Sequence, residues 1–440
     1  MGNNEITLNF IMESDWSKLP ENVQHQAKRC LMDTLGALIA GHQTPVSNLM
    51  NSFVNEQFKG DDATILVKGS KTSAPGAALV NGFANNALDI DDGYRLVKGH
   101  PGACILPVVL ATTEIAPGIT GKKFLTALVV GYEVAIRAGL IRHATYETYH
   151  SSGSWGAIGG AAAAGKIIGL SREKLCHALG AAEYHAPIAP MMKCIEIPGM
   201  GKDSIGWGCM VAMMSVIMAD KGFTGIKPIF DDSPKVEWIK SLGRSYEIMN
   251  LYFKPYSACR WAQPGVDGAL KIMAENNFDH EYIKQIKVFT FAESAALSTN
   301  YPQNTEEAQY NIAFPIAAAL LDGAVGPDQV LAPRLFDKDV HRIMDKIRII
   351  TQKRFQRDFP AKAESEVEIT TTNGKIFSSG VMSAKWDPQT IFPTDPELEN
   401  KFLWLTSPVI GEAKANALAS LIWNFDREKK LDRMIELCIQ

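Results

Sequence analysis

The sequence predicts a mainly α-helical large domain with an inserted smaller α+β lid domain, and three observations lead there. At 440 residues the chain exceeds what one hydrophobic core ordinarily organises, so two domains are expected. As far as residue 265, apolar side chains recur at helical spacing, and beyond it stretches of strict alternation appear. After residue 395 the helical texture returns. The simplest arrangement puts 1–265 and 396–440 in the helical domain and 266–395 in the lid, with a cleft between them as the natural ligand site.

Each element follows from its own pattern. In 20–57, Cys30, Leu31, Thr34, Leu35, Leu38 and Ile39 repeat at helical spacing, and Gly41 ends the run. Segment 74–88 is helical and rich in small side chains, and 103–114 and 121–140 continue the pattern. Segment 154–170 is small and apolar throughout, as a helix buried on several sides would be. Ser171 suits the N-cap of a helix over 171–184, with Glu173 in its first turn, and 205–219 reads as one more packed helix. In the lid, 282–291 and 346–351 read as strands. Segments 363–371 and 376–381 flank Asn373-Gly374, a hairpin turn signal. Helices are expected over 307–321 and 337–345. Thr406-Ser407-Pro408 reads as an N-cap followed by proline at the first helical position, opening a helix over 411–425 before a last one at 430–439.

Composition excludes several classes of function. With 46% hydrophobic residues, 21% charged and a formal charge of -4, there is no basic field for a nucleic-acid backbone. The alanine-rich runs are broken by glycine and charge before they reach membrane length. The first ten residues lack the basic and apolar regions of a signal peptide, and Ile6 stands where a myristoylation pattern needs Ser or Thr. Seven scattered cysteines without a CxxC pair suggest free thiols in a reducing, cytoplasmic setting and no zinc or iron–sulfur cluster. Gly160 to Lys166 begins like a phosphate loop, but Ile167 replaces the metal-holding hydroxyl, so close helix packing is the better reading. His177 and His185, eight apart, suit structural roles better than a metal pair.

Five stretches carry candidate chemistry. The first, 81–102, gathers Asp89, Asp91, Asp92, Tyr94, Arg95, Lys98 and His100 after an apolar helix. It reads either as a ligand site or as a helix end followed by a solvated charged loop. The second, 143–154, places Tyr146, Tyr149 and His150 beside several hydroxyls, and the third, 198–208, sets Lys202 between glycines. The fourth, 253–264, brings Lys254, Tyr256, Arg260 and Gln263 to the domain join, and the fifth, 301–310, runs polar groups into a helix. Capped helices, solvated loops and an ordinary junction are the plain alternatives. If the stretches converge, Arg95, Lys98, Lys202 and Lys254 offer counter-charges for carboxylates beside His100, His150 and tyrosines. That set suits proton transfer next to a carboxylate, where cations stabilise the enediolate-like charge as it develops. No G-x-S-x-G elbow is present for a nucleophilic hydrolase. A non-catalytic helical interaction protein is the alternative of another class.

Taken together, DTLGALIAG at 33–41, ALDIDDGYRLVKGHPG at 87–102, YHSSGSWGAIGGAAAAGKIIGLS at 149–171, FKPYSACRWAQP at 253–264 and EEAQYNIAFPIAAALLDG at 306–323 resemble the MmgE/PrpD family over nearly the whole chain. The resemblance implies a homodimer, a site free of metal and cofactor between the two domains, and a small di- or tricarboxylate substrate. Family activities include alkylcitrate dehydration, cis-aconitate decarboxylation and iminodisuccinate epimerisation. Asp89, His100 and His150 match family positions, and Lys202 matches more loosely. The chain departs from the pattern at Gly93, where the family often has Thr, at Ser257 for proline, and at Gln263 for histidine. Glutamine cannot supply a proton at neutral pH. The departure at 263 therefore favours an epimerase acting on an iminodisuccinate-like dicarboxylate over the alternatives, a hydro-lyase or a cis-aconitate-type decarboxylase. In that reading Lys98 or His100 serves one face of the carbon and Tyr149 or His150 the other, with Asp89 handling or orienting the proton. Arg95, Lys202, Lys254, Tyr256 and Gln263 bind substrate.

Overall fold

Small side chains decide how closely the helices of the large domain approach. In the computed structural model, which describes residues 2–276 and 278–440, the helix Gly153–Ile168 is buried continuously from Gly153 to Gly165. Gly121–Thr145, Ile205–Asp220 and Pro101–Ile115 pack around it, since a Gly/Ala surface lets backbones come close. Gly121–Thr145 is long and apolar enough to cross a membrane, yet its apolar stretch is wholly buried among these helices. Local signals place the starts: Ser73 Oγ accepts from Gly76 N at 3.4 Å, and Ser171 Oγ from Lys174 N at 3.3 Å.

The alternating stretches pair into a four-stranded sheet in the order Ile347–Thr351, Ile283–Thr290, Glu364–Thr371, Ile376–Ser383. The first pair is parallel, with Ile286 opposite Ile347, and the other two are antiparallel, with Val288 opposite Val367 and Glu366 opposite Val381. Every second residue of Glu364–Thr371 is buried, beginning at Ser365, and the helix Gln263–Asn276 packs on that strand and its neighbour Ile376–Ser383. Gly374 takes the positive φ of the hairpin turn, +86°.

Two local readings change. The helix expected over 307–321 is two, Thr305–Gln309 and Ala313–Asp322. Asn311 divides them because its Oδ1 accepts the N–H groups of Ala313 and Phe314, each at 2.8 Å. Thr406-Ser407-Pro408 opens no helix: Asp395–Ile410 runs through it, and Glu412–Trp423 begins after Gly411. The true start is Thr394, which forms a reciprocal capping box with Glu397. Pro408 lies inside this helix, where it removes the N–H that would bond the Trp404 carbonyl.

Tail residues Leu398, Phe402, Leu418 and Phe425 share one core with the amino-terminal helices. A second core belongs to the lid, and Ala37, Ala40, Leu88, Ile90 and Leu405 join it from the helical side. That seam between the two cores positions the site.

Candidate active site

The stretch after Asn86 is no solvated loop. Residues 87–94 are all buried, because Leu88 and Ile90 insert into the lid core while Tyr94 and Val97 insert into the helical core. Asp89 is thereby pinned on the seam, with φ +51°. Lys98, Lys202 and Ser204 share the left-handed region at +49°, +37° and +55°. Among the described non-glycine residues only Val67 and Trp386 do so elsewhere. Such strain costs about 1–3 kcal/mol per residue and persists only where surroundings impose it.

Around Asp89 the charges are closely set. Lys254 Nζ lies 3.0 Å from Asp89 Oδ1 and donates to the Asp89 carbonyl at 2.9 Å. Lys202 Nζ, held by the Asn86 carbonyl at 2.5 Å and Gln309 Oε1 at 2.7 Å, stands 4.0 Å from the same carboxylate oxygen. His100 Nε2 approaches that oxygen to 3.5 Å. Its Nδ1 is 2.9 Å from the Asp92 carbonyl and 3.1 Å from Asp91 Oδ2. A carbonyl only accepts, so Nδ1 carries hydrogen and Nε2 is the nitrogen free to work. Burial opposes the imidazolium, but the Asp91 carboxylate outweighs it and holds His100 above its ordinary pKa. Burial likewise works against ionised Asp91, yet His100, Lys254 and Lys202 bring it down to about 2.

Neighbouring elements lock this geometry. His100 N donates to Ser152 Oγ at 3.0 Å, and Ser152 Oγ donates to Asp203 Oδ1 at 2.8 Å just before the helix Gly153–Ile168. Tyr310 OH donates to the other oxygen of Asp203 at 3.2 Å. Tyr149 OH donates to the Lys98 carbonyl, and Lys98 Nζ sits 4.4 Å from the centre of the Tyr149 ring. Burial pushes Lys98 below its usual pKa and Tyr149 above. Beneath His100, Asp92 accepts from Gly102 N at 3.0 Å and from Tyr132 OH at 2.5 Å. Residue 102 must be glycine, since a Cβ there would meet Tyr132 OH at 2.3 Å. Burial and Asp33 raise Asp92 to about 7, while burial raises Asp33 to about 6 against its partner Lys401, 2.5 Å away.

Asp89, Arg95, Lys98, His100, Tyr149 and Lys254 line one narrow cavity of about 60 Å³. Asp203, Tyr252, Cys259, Arg260, Trp261 and Tyr310 complete its polar and aromatic wall, and Met191, Ile195 and Phe359 add apolar surface. Four expected residues do not line it. Lys202 acts from behind Asp89. The His150 ring is buried edge-on to Tyr146, centres 5.5 Å apart, with neither nitrogen hydrogen-bonded among the described residues, and burial holds its pKa down. Tyr256 OH donates to Asp267 at 2.7 Å and accepts from Lys385 at 2.8 Å. Gln263 Nε2 turns back onto the carbonyls of Ala258 and Tyr256, at 3.0 and 3.4 Å. Sequence reasoning had no means of sorting 253–264, because its turns follow neither a helical nor a strand period. Asp203 went unnoticed beside Lys202 for the same reason.

Ligating atoms of Asp89, Asp91 and His100 lie within 4.8 Å of one another, near enough to enclose a cation. The ammonium groups of Lys254 and Lys202 already face Asp89, so the donor set suits internal counter-charges rather than a dication.

Residues 6–245 match the MmgE/PrpD N-terminal domain and residues 256–427 the MmgE/PrpD C-terminal domain. A cis-aconitate decarboxylase-like protein of Aspergillus oryzae is 24% identical, over 98% of this chain and 95% of its own length. The cis-aconitate decarboxylase of Homo sapiens is 26% identical over 93% of this chain and 88% of its own, and that of Mus musculus 24% over 92% and 86%. These relatives overturn the expectation of an epimerase: they are named decarboxylases. The expectation also rested on Gln263 standing where a proton donor would be, and that side chain faces its own turn. A mainly helical amino-terminal part and a smaller α+β carboxy-terminal part, each matched by its own domain of one family, make this chain a member of the MmgE/PrpD family.

Proposed function

We propose that the protein is a lyase that decarboxylates a small unsaturated tricarboxylate of the cis-aconitate type, with His100 as proton donor. The observation that carries this reading is the cationic cavity in which a proton-holding His100 and Lys254 flank one buried carboxylate, Asp89. The names of relatives that align along most of the chain support it. In such a substrate the bond from the methylene carbon to its carboxylate breaks, and carbon dioxide leaves. The released electron pair forms a new double bond, and the old double bond's pair moves to the carbon beside another carboxylate. Lys254 and Lys98 stabilise the enediolate so formed, and His100 Nε2 delivers the proton to that carbon. Asp89 orients the imidazole and balances the lysines. Trp261, Phe359 and Ile195 offer an apolar wall against which a carboxylate loses its hydration.

The test is incubation with cis-aconitate in deuterated water, followed by carbon dioxide release and NMR of the product. Expected are one equivalent of gas and a methylene-bearing dicarboxylate with one deuterium beside a carboxylate. Loss of water from a hydroxy-tricarboxylate without gas, or no turnover of any tricarboxylate, overturns the reading.

The active form is a homodimer in this reading. Support comes from the apolar helix Ile205–Asp220, which leaves Trp207 and Met214 exposed, and from exposed Phe223 and Ile226 beyond it. Light scattering at twice 48.2 kDa is the expected result, and a stable monomer at micromolar concentration removes it. The free thiols fit a cytoplasmic setting.

A further inference from the structure

Arg95 and Arg260 stand between two spaces. Both line the cavity that holds His100, and both line an adjoining chamber of about 140 Å³. On the chamber side they share a single carboxylate, Asp387, whose side chain is 4% exposed. Arg260 Nη2 is 2.6 Å from its Oδ2 and Arg95 Nη1 is 3.4 Å from its Oδ1. Both guanidinium groups pair with this one carboxylate, and Lys362 and Glu364 also line the chamber. Two donors are also left over: Arg95 Nε and Arg260 Nη1 are buried with no hydrogen-bond partner among the described residues. An Arg–Asp–Arg tie whose only purpose was to join loop 384–390 to the cleft would not need to leave buried guanidinium donors unused.

The platform beneath Arg260 is built with equal specificity. Its guanidinium lies 4.0 Å from the centre of the Tyr252 ring. Tyr252 in turn exchanges both backbone hydrogen bonds with Gly93, each at 2.9 Å. A Cβ at 93 would fall 2.3 Å from the Tyr252 ring carbon Cζ, so glycine is what lets the ring lie there.

We propose that Arg95 and Arg260, braced by Asp387, form a carboxylate subsite that makes the cavity select tricarboxylates over dicarboxylates. This rests on the lyase reading for the location of the reacting end, beside Asp89 and Lys254. The planar forks of two arginines suit bidentate capture of a carboxylate, whereas the lysines at the other side act as point charges. Asp387 is a positioning residue: it fixes both guanidinium planes without touching substrate.

Calorimetric titration tests this without turnover, using tricarballylate and glutarate, the same chain without its central carboxylate. The wild type is expected to bind tricarballylate about tenfold more tightly than glutarate. R95Q and R260Q each reduce that preference to about twofold with glutarate affinity unchanged, R260K restores part of it, and D387N weakens only tricarballylate. Melting curves run in parallel confirm that each variant is folded, and R260K serves if R260Q is not. A preference that stays at the full wild-type value in R95Q and R260Q, or in R95Q and R260K, overturns the subsite alone. A wild type that binds neither acid overturns the subsite and the lyase reading together.

Discussion

On each side of the cavity one carboxylate is shared by two cations, and the two arrangements are built for different work. Asp89 sits between Lys254 at 3.0 Å and Lys202 at 4.0 Å, with His100 in reach, all of them almost fully buried. Asp387 sits between Arg260 and Arg95, whose side chains are 11% and 23% exposed. Lysine and histidine change their proton affinity readily when buried, while arginine keeps its charge and offers a fixed fork. In the lyase reading the first arrangement therefore moves a proton through His100, and the second holds an anion. A cavity that separates these tasks can change its substrate at one side without losing chemistry at the other.

The largest expected effect breaks the proton-active side. H100N keeps a hydrogen-bonding side chain but cannot deliver a proton, and kcat should fall about 100- to 10,000-fold with KM little changed. Equal kcat in H100N would remove the division of labour altogether. K254M leaves Asp89 without its nearest counter-charge, and a loss of about 100-fold in kcat/KM is expected. On the anion-holding side, R260Q should act mainly on KM, raising it about tenfold, and a fall in kcat instead would blur the comparison.

A subtler effect is the pH profile. Asp91 holds the His100 pKa up, and in the lyase reading the protonated form is the reactive one, so kcat/KM is expected to fall as pH rises through that pKa. D91N lowers the pKa and should move the alkaline limb of the profile about one unit towards acid. R260Q should leave the limb in place. The smallest effect is on stability. Asp92 is raised to about 7 from the usual 3.8, so the benefit of its protonated form is complete below pH 3.8 and lost as pH climbs through 7. D92N cannot ionise, and it should gain on the wild type by about 2 kcal/mol between pH 5 and 8 in denaturant melts.

What was legible in the sequence was whatever depends on neighbours along the chain. Periodic apolar residues marked the helices that become Gly153–Ile168 and Ile205–Asp220, and alternation marked the strands Ile283–Thr290 and Glu364–Thr371. The 81–102 stretch stood out because acids, bases and a histidine crowd into a breaker-rich segment, and Asp89, Arg95, Lys98 and His100 do share one cavity. The Thr406-Ser407-Pro408 reading failed because a local N-cap signal lost to the packing of Phe402 and Leu405, which carry the helix Asp395–Ile410 across it.

By itself, then, the amino-acid order determined the two kinds of domain and the segment from which the site is built, since both follow from spacing and residue type over a few turns. Only the tertiary structure decided which side chains reach the cavity. Tyr149 lines it while His150 does not, and Arg260 and Trp261 line it while Tyr256 and Gln263 turn away. In irregular backbone the direction of a side chain is set by the particular φ and ψ of each residue and by what packs against it, and those contacts come from segments more than a hundred residues distant, as the Lys254–Asp89 and Asp387–Arg260 pairs do.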